Sequence, residues 1–224
     1  MFVFLSHTLN SRTPTYGKRN NFIISKKKTS NSRGRASGCL LTFHNHTGTH
    51  VDFPSHFIKN GKNFSNYSQN YFIYKKILII NLKKIKPSYL ISIKDIKNQK
   101  LTSSIINKKN TIDFILFKTN FERFREKDKY IFFNPGIDPL MGEFLKKKFP
   151  KLKAIGFDFI SLSSFQNSDE GKKAHIEFLK RGILIFEDMK LKLINKDSKI
   201  KKIFCFPLPV EEIDGSPCSI LAEI

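Results

Sequence analysis

The segment His44–Phe57 reads His-Asn-His-Thr-Gly-Thr-His-Val-Asp-Phe-Pro-Ser-His-Phe, and it limits what this chain can fold into more than any other stretch. It holds four of the six histidines in 224 residues. Gly48 and Pro54 argue against a regular helix, so the segment must be extended or turned. His44, His46, His50, Asp52 and His56 are all even-numbered, and an extended chain aims alternate side chains at one face. Gly48 lets the backbone turn or bulge so that His46 and His50 converge. Neutral imidazoles and a carboxylate are ordinary ligands for Zn²⁺ or Mn²⁺. His46, His50 and Asp52 on one face could hold an ion and leave positions open for water. A solvated, histidine-rich strand is the competing reading for any one of these residues. Clustered donors are what metal coordination demands, and three histidines with an aspartate favour the metal.

Composition bounds what surrounds this segment. Lys and Arg total 40 against 19 Asp and Glu, a net charge of +21. Such an excess raises the case for a nucleic-acid partner. However, 33 of the basic residues are Lys and only 7 are Arg. Arg grips phosphate and guanine bidentately, and Lys does not. The basic clusters are dispersed, at Lys26–Lys28, Lys83–Lys86, Lys146–Lys153, Lys172–Lys173 and Lys190–Lys202. Lys, Ile, Asn and Phe supply 101 of the 224 residues, and all four have codons rich in A and T. A compositional, solvated charge therefore explains the excess better than a specific nucleic-acid face. A hydrophobic content of 40% excludes a disordered chain. Cys39, Cys205 and Cys218 are odd in number and lack CxxC spacing, which excludes a readable disulfide framework or zinc ribbon and points to a reducing compartment. The apolar start Met1–Leu5 ends at Ser6-His7, too short for a signal sequence. No apolar run reaches the ~18 residues of a spanning helix. The expectation is a cytoplasmic protein with no membrane partner.

A single domain over residues 1–224 fits this length. Phe2–Leu5 reads as a short buried strand, and the polar stretch Asn10–Ser37 as a long loop. Further strands are expected at Ile77–Asn81, Phe114–Lys118, Tyr130–Phe133, Ala154–Phe157, Ile183–Phe186 and Lys202–Phe206. Helices are expected at Ser92–Lys97, Pro139–Phe149 and Ala174–Arg181, the last closed by Gly182. Alternation of strand and helix in the second half gives an α/β class. Glu187 follows the run Ile183–Phe186 and so sits at a strand end, where α/β sites form. Asp188 is an equal candidate by that argument. His175, on its own, reads as a surface helix residue.

His46-Thr-Gly48-Thr49-His50-Val-Asp52-Phe-Pro54-Ser-His56 resembles the His-x-Gly-Thr-His-x-Asp-x-Pro-x-His signature of the cyclase family of metal-dependent hydrolases, at all its fixed positions. That family includes bacterial kynurenine formamidases (arylformamidases) and isatin hydrolases. Ser6-His7-Thr8-Leu9, Ile115–Thr119, Asn134-Pro135-Gly136, Ile155–Asp158, Ala174-His175, Ile185–Glu187 and Asp214–Pro217 resemble further family stretches, so the likeness spans nearly the whole chain. Asn120 stands where the family has Gly, and Cys218-Ser219 where it tends to have Pro-x-Arg. The resemblance implies a compact α/β domain with a mixed β-sheet core and flanking helices, of the swivelling β/β/α kind. It implies two divalent ions, zinc ahead of manganese. His46, His50 and Asp52 would bind the first, with Asp52 bridging to a second held by His175 and Glu187. His56 would be the catalytic acid/base. The activity implied is hydrolysis of an amide C–N bond of a small-molecule substrate. N-formylkynurenine in tryptophan breakdown is the first choice, and a cyclic amide or lactone of the isatin type the second. The family also implies a homodimer or homotetramer. A non-enzymatic metal- or nucleic-acid-binding protein is the reading from a different class.

Overall fold

Phe114–Lys118 is buried at all its positions, the mark of a strand covered on both faces. The computed structural model describes residues 1–19, 21–31, 34–97, 110–195 and 198–224, with backbone alone for 27–31 and 34–37. In chain order the strands are β1 (Phe2–Phe4), β2 (Ile23–Asn31), β3 (Gly34–Thr42), β4 (His50–Asp52), β5 (Ile73–Tyr74), β6 (Ile77–Asn81) and β7 (Leu90–Ile91). They continue with β8 (Phe114–Lys118), β9 (Gly136–Ile137), β10 (Ala154–Phe157), β11 (Leu184–Glu187), β12 (Lys202–Pro207) and β13 (Gly215–Glu223). The helices among the described residues are α1 (Ile93–Lys97), α2 (Asp128–Phe132), α3 (Leu140–Lys148) and α4 (Ser168–Leu179).

The main sheet runs β5-β12-β13-β4-β11-β10-β8-β6, with β1 also beside β13. Strands β6, β8, β10 and β11 are parallel. Strand β4 is antiparallel to both β11 and β13, and so joins a parallel half to an antiparallel half. The end strands of this order, β5 and β6, are separated in the chain only by Lys75 and Lys76. The two edges therefore come together and the mixed sheet nearly closes into a barrel. The Asp113 carboxylate pins the junction, accepting from the backbone N–H of Lys75 and Lys76 at 3.0 and 2.9 Å.

Alternation along the strands divides the core in two. Phe114, Leu116, Leu184 and Phe186 pack with Val51, Phe53, Tyr74, Ile203 and Ile220 on the inner side of the curved sheet. Ile115, Phe117, Ile155, Phe157 and Ile185 pack on the outer side against Met141 and Leu145 of α3 and Phe178 of α4. Val51 and Phe53 point inward, so their alternates His50 and Asp52 face outward, as does Glu187 beyond Ile185. The even-number parity read from the sequence is a real strand face over β4.

Several local expectations change. Asn10–Ser37 is not a long loop: β2 and β3 pair antiparallel from Ile23↔Thr42 to Asn31↔Gly34 as a two-stranded hairpin apart from the main sheet. Its Lys, Ser and Thr residues read as polar loop, and the described side chains of the two strands, at 23–26 and 38–42, are all exposed, so no buried face demands alternation there. Tyr130–Phe133 is not a strand; Asp128–Phe132 forms a short helix that buries Tyr130 and Ile131. A short apolar run does not separate strand from buried helical turn. β1 is a partner of β13 with Phe2 and Phe4 largely exposed, and only Leu5 is buried. Helix α4 begins six residues before Ala174, with Asp169 and Glu170 favourably placed in its first turn. Strand β13 had no expectation attached to it. No helix among the described residues is long and apolar enough to cross a membrane.

Phe114 stacks obliquely on Tyr74 and Phe186, with ring centroids 4.7 and 5.5 Å apart, where β5 meets the parallel strands. Phe114→Ala is expected to cost about 3–5 kcal/mol of unfolding free energy. Urea denaturation followed by circular dichroism measures it, and a loss under about 1 kcal/mol would mean that the barrel closure does not depend on this contact.

Candidate metal centre

Strand register brings the first donors together. His50 on β4 lies directly opposite Glu187 on β11, and Asp52 opposite Ile185. On the other side His50 pairs with Pro217, and Asp52 with Gly215. His46 reaches the same point from the turn before β4. Gly48 makes this possible: its φ is +66°, and a Cβ there would sit 2.3 Å from Leu9 Cδ2. Gly215 is needed for a different reason, since a Cβ on it would lie 2.2 Å from His46 Cε1. His175 arrives from the middle of α4, which packs over this face.

Asp52 is the centre of the cluster. Its Oδ1 lies 2.9 Å from His46 Nδ1 and 3.5 Å from His50 Nε2. Its Oδ2 lies 3.4 Å from His175 Nε2. Glu187 closes the far side, with Oε2 3.5 Å from His50 Nε2 and Oε1 3.4 Å from His175 Nε2. All five side chains named by the sequence therefore meet. Glu187 and Asp188 part company here, because neighbouring residues at a strand end point opposite ways. Glu187 joins the cluster, while Asp188 turns away to Arg125 and Tyr130.

The imidazoles of His50 and His175 are oriented for their Nε2 atoms to face Asp52 and Glu187. His50 Nδ1–H donates to Gly48 O and His175 Nδ1–H to Gly171 O, each at 2.8 Å. Such outer hydrogen bonds fix the tautomer of metal-ligating histidines. Glu187 Oε1 accepts from Leu162 N–H at 2.7 Å, which fixes its carboxylate plane. Donor atoms of His50, Asp52 and Glu187 form one group compact enough for an ion, and those of His46, Asp52 and His56 form another. Asp52 belongs to both. Nitrogen and carboxylate donors in this proportion suit zinc or manganese.

The protonation states fit the same picture. Burial opposes a charged imidazole at His46, yet hydrogen bonds to Asp214 and Asp52 outweigh it and raise its pKa to about 10. At His175 burial is likewise outweighed by Asp52 and Glu187, and the value again reaches about 10. His50 is also raised. Burial works against the Asp52 carboxylate, but hydrogen bonds from His175, His46 and His50 hold it well below the usual range. Without a metal, protons on the imidazoles balance the buried carboxylates.

One functional residue carried no role in the sequence reading. Asp214 Oδ2 accepts from His56 Nδ1 at 2.8 Å and lies 3.4 Å from His46 Nε2. Those two hydrogen bonds, from His46 and then His56, hold its carboxyl far below the usual range. The signal was the segment Asp214–Pro217, which matched the family with no function attached. His44 sits exposed at the mouth of the site. His7 is half-buried and lines a separate groove, its backbone N–H donating to Thr49 Oγ1 at 2.9 Å. Thr49 Oγ1 in turn donates to Asp188 O at 2.5 Å and ties the histidine turn to the end of β11. Asp188 holds a left-handed backbone, φ +48°, gripped by Arg125 through Nε and Nη2 at 2.9 and 2.7 Å. His44, Asp188 and the donor cluster with His56 line a cavity of about 330 Å³ open to solvent.

An entering cation must displace protons from imidazoles whose pKa values are raised toward about 10. Affinity for Zn²⁺ or Mn²⁺ is therefore expected to rise with pH between about 6 and 8, with net proton release. Titration calorimetry in buffers of different ionisation enthalpy reads this directly. A buffer-independent heat would contradict it.

Comparisons with known proteins bear on the family and the fold. The cyclase family model, described as "Putative cyclase", matches residues 3–164. A kynurenine formamidase of Geobacillus thermodenitrificans is 26% identical over 216 residues, covering 96% of this chain and 94% of that protein. An uncharacterised protein of Haemophilus influenzae is 28% identical over 117 residues, covering 51% of this chain and 78% of its own length. Among solved structures, isatin hydrolase A from Labrenzia aggregata superposes with a TM-score of 0.79 at 20% identity, over 99% of this chain and 93% of that one. A potential metal-dependent hydrolase with cyclase activity gives 0.72 at 20% identity, over 99% and 96%. A family model that covers well over half of the chain, on a fold and a donor cluster of this kind, makes the protein a member of the cyclase family.

Proposed function

We propose that this protein is a metal-dependent amidohydrolase of the arylformamidase type. The observation that carries the reading is the buried Asp52 carboxylate shared by His46, His50 and His175, with Glu187 across from it and His56 beside it. In this reading His46, His50 and Asp52 hold one divalent ion, and Asp52, His175 and Glu187 a second, with zinc preferred over manganese. Bound there, the ions supply Lewis acidity to activate water and polarise a carbonyl. His56 gives its Nδ1–H to Asp214, which fixes the tautomer and leaves Nε2 to carry a proton to the leaving nitrogen. The kynurenine formamidase relative, aligned over nearly the whole chain, supports a formamide substrate. The isatin hydrolase neighbours share the fold and keep a cyclic amide as the second choice.

Metal analysis joined to parallel assays with N-formylkynurenine and isatin tests the substrate and the chemistry together. His56→Ala is expected to keep its metal and lose about 10²- to 10⁴-fold in kcat. His50→Ala is expected to lose the metal itself. Full hydrolysis by metal-loaded His56→Ala would remove the acid/base role. A non-enzymatic nucleic-acid binder predicts instead salt-dependent binding of DNA or RNA that ignores His56→Ala.

The cellular setting and assembly belong to the same reading. Cys205 and Cys218 are buried and unpaired, which supports a reducing, cytoplasmic location. Ile23, Ile24, Leu40 and Leu41 of the hairpin are 43–53% exposed, and Phe206 and Leu208 lie exposed beside a groove that Leu41 also lines. Apolar surface of this extent supports a homodimer or homotetramer. Light scattering on the purified chain is expected to give a multiple of 26.0 kDa, and a monomer at micromolar concentration would contradict it.

A further inference from the structure

The mouth of the cavity is built by the turn Tyr16–Lys18 and the residue after it. Gly17 has φ +64°, and the chain doubles back there. A Cβ on Gly17 would lie 3.1 Å from the Phe165 ring and 3.5 Å from Arg19 Nε. The Arg19 side chain is thus folded back against the turn, and it lines the same cavity as the metal cluster. Its neighbour Lys18 points elsewhere, paired with Asp128 at 2.7 Å. Arg19 has no carboxylate partner among the described residues. The acidic groups that line this cavity are all engaged: Asp52 and Glu187 with imidazoles, Asp188 with Arg125.

Tyr16 adds a second unmet demand. Its ring packs on Phe165 with centroids 5.5 Å apart, and its hydroxyl is buried in the cavity wall with no hydrogen-bond partner among the described residues. Burial, and then the nearby Glu187 charge, push its pKa up to about 12, so it keeps its proton and can only gain by donating. The cavity therefore offers an acceptor-seeking hydroxyl within and an unpaired guanidinium at its mouth. A planar guanidinium matches a carboxylate through two parallel hydrogen bonds, which a neutral amide cannot reproduce.

We propose that Arg19 is a specificity residue, and that the substrate is an amide bearing a carboxylate, which Arg19 binds at the cavity mouth while the scissile group faces His56 and the metal cluster. This rests on the amidohydrolase reading and narrows it to acidic substrates.

The test compares 3- and 4-formamidobenzoate with the matching formamidobenzamides, which share the formanilide and lack the negative charge. Metal-loaded wild-type protein is expected to favour the carboxylates in kcat/KM. Arg19→Gln is expected to cut that carboxylate-to-carboxamide ratio about 10- to 100-fold, with part recovered in Arg19→Lys. In parallel, calorimetry measures binding of 3- and 4-aminobenzoate against the aminobenzamides, which needs no turnover. If no formanilide is hydrolysed, the amidohydrolase reading fails while the binding arm still decides the role of Arg19. A carboxylate preference that survives Arg19→Gln would place the anion on the metals and overturn the proposal, as would the lack of any preference.

Discussion

Asp52 keeps its charge while almost fully buried at the wall of the cavity. A buried carboxylate is tolerated only with partners at close range, and removing them leaves an expensive orphan. Here the partners are three imidazoles from three different parts of the chain: His46 before β4, His50 on β4 and His175 on α4. Each must be delivered to within a few ångströms of one carboxylate. Much of the architecture can be understood as meeting that demand.

Strand β4 is only three residues long, yet it sits between β11 and β13 and joins the two halves of the sheet. Its outward residues are donors and its inward Val51 is core. The same three residues thus join the two halves of the sheet and display the site. The parallel strands β11 and β10 place their carboxyl ends beside it, which is why Glu187, the Ser161 hydroxyl and the Leu162 N–H meet the cluster. Behind the ligands, Thr49 and Asp188 bolt the histidine turn to the end of β11, and Arg125 holds Asp188 in a backbone conformation that a non-glycine residue adopts at some cost. Rigid support of this kind sets donor atoms in place before any ion arrives.

The net charge of +21 reads differently beside this site. Most of the lysines are dispersed over the surface, and the basic residue that matters at the cavity is a single arginine. The donor cluster itself is close to balanced, carboxylate against imidazole. Surface charge of this sort governs solubility and encounter with anions rather than the fold.

The sequence by itself determined the ligand segment, because a short-range signature needs no partner to be legible: His46, His50, Asp52 and His56 follow one another through the turn before β4, β4 itself and the 3₁₀ turn Pro54–His56 after it. It also determined the buried parallel strands, since Phe114–Lys118 and Ala154–Phe157 are nearly continuous apolar runs. Elements that depend on distant partners were not legible. Hairpin β2–β3 leaves the described side chains of its strands exposed, so no buried face marks it in the sequence, and β13 takes its identity from pairing with β1, β4 and β12 at once. The choice of Glu187 over Asp188 rests on which face of β11 looks toward α4. His175 becomes a donor only because α4 lies over β4, and Asp214 meets His56 across 158 positions of sequence. Local chemistry can be written in adjacent residues, whereas convergence of remote side chains is a property of the closed sheet and is decided only when the chain packs.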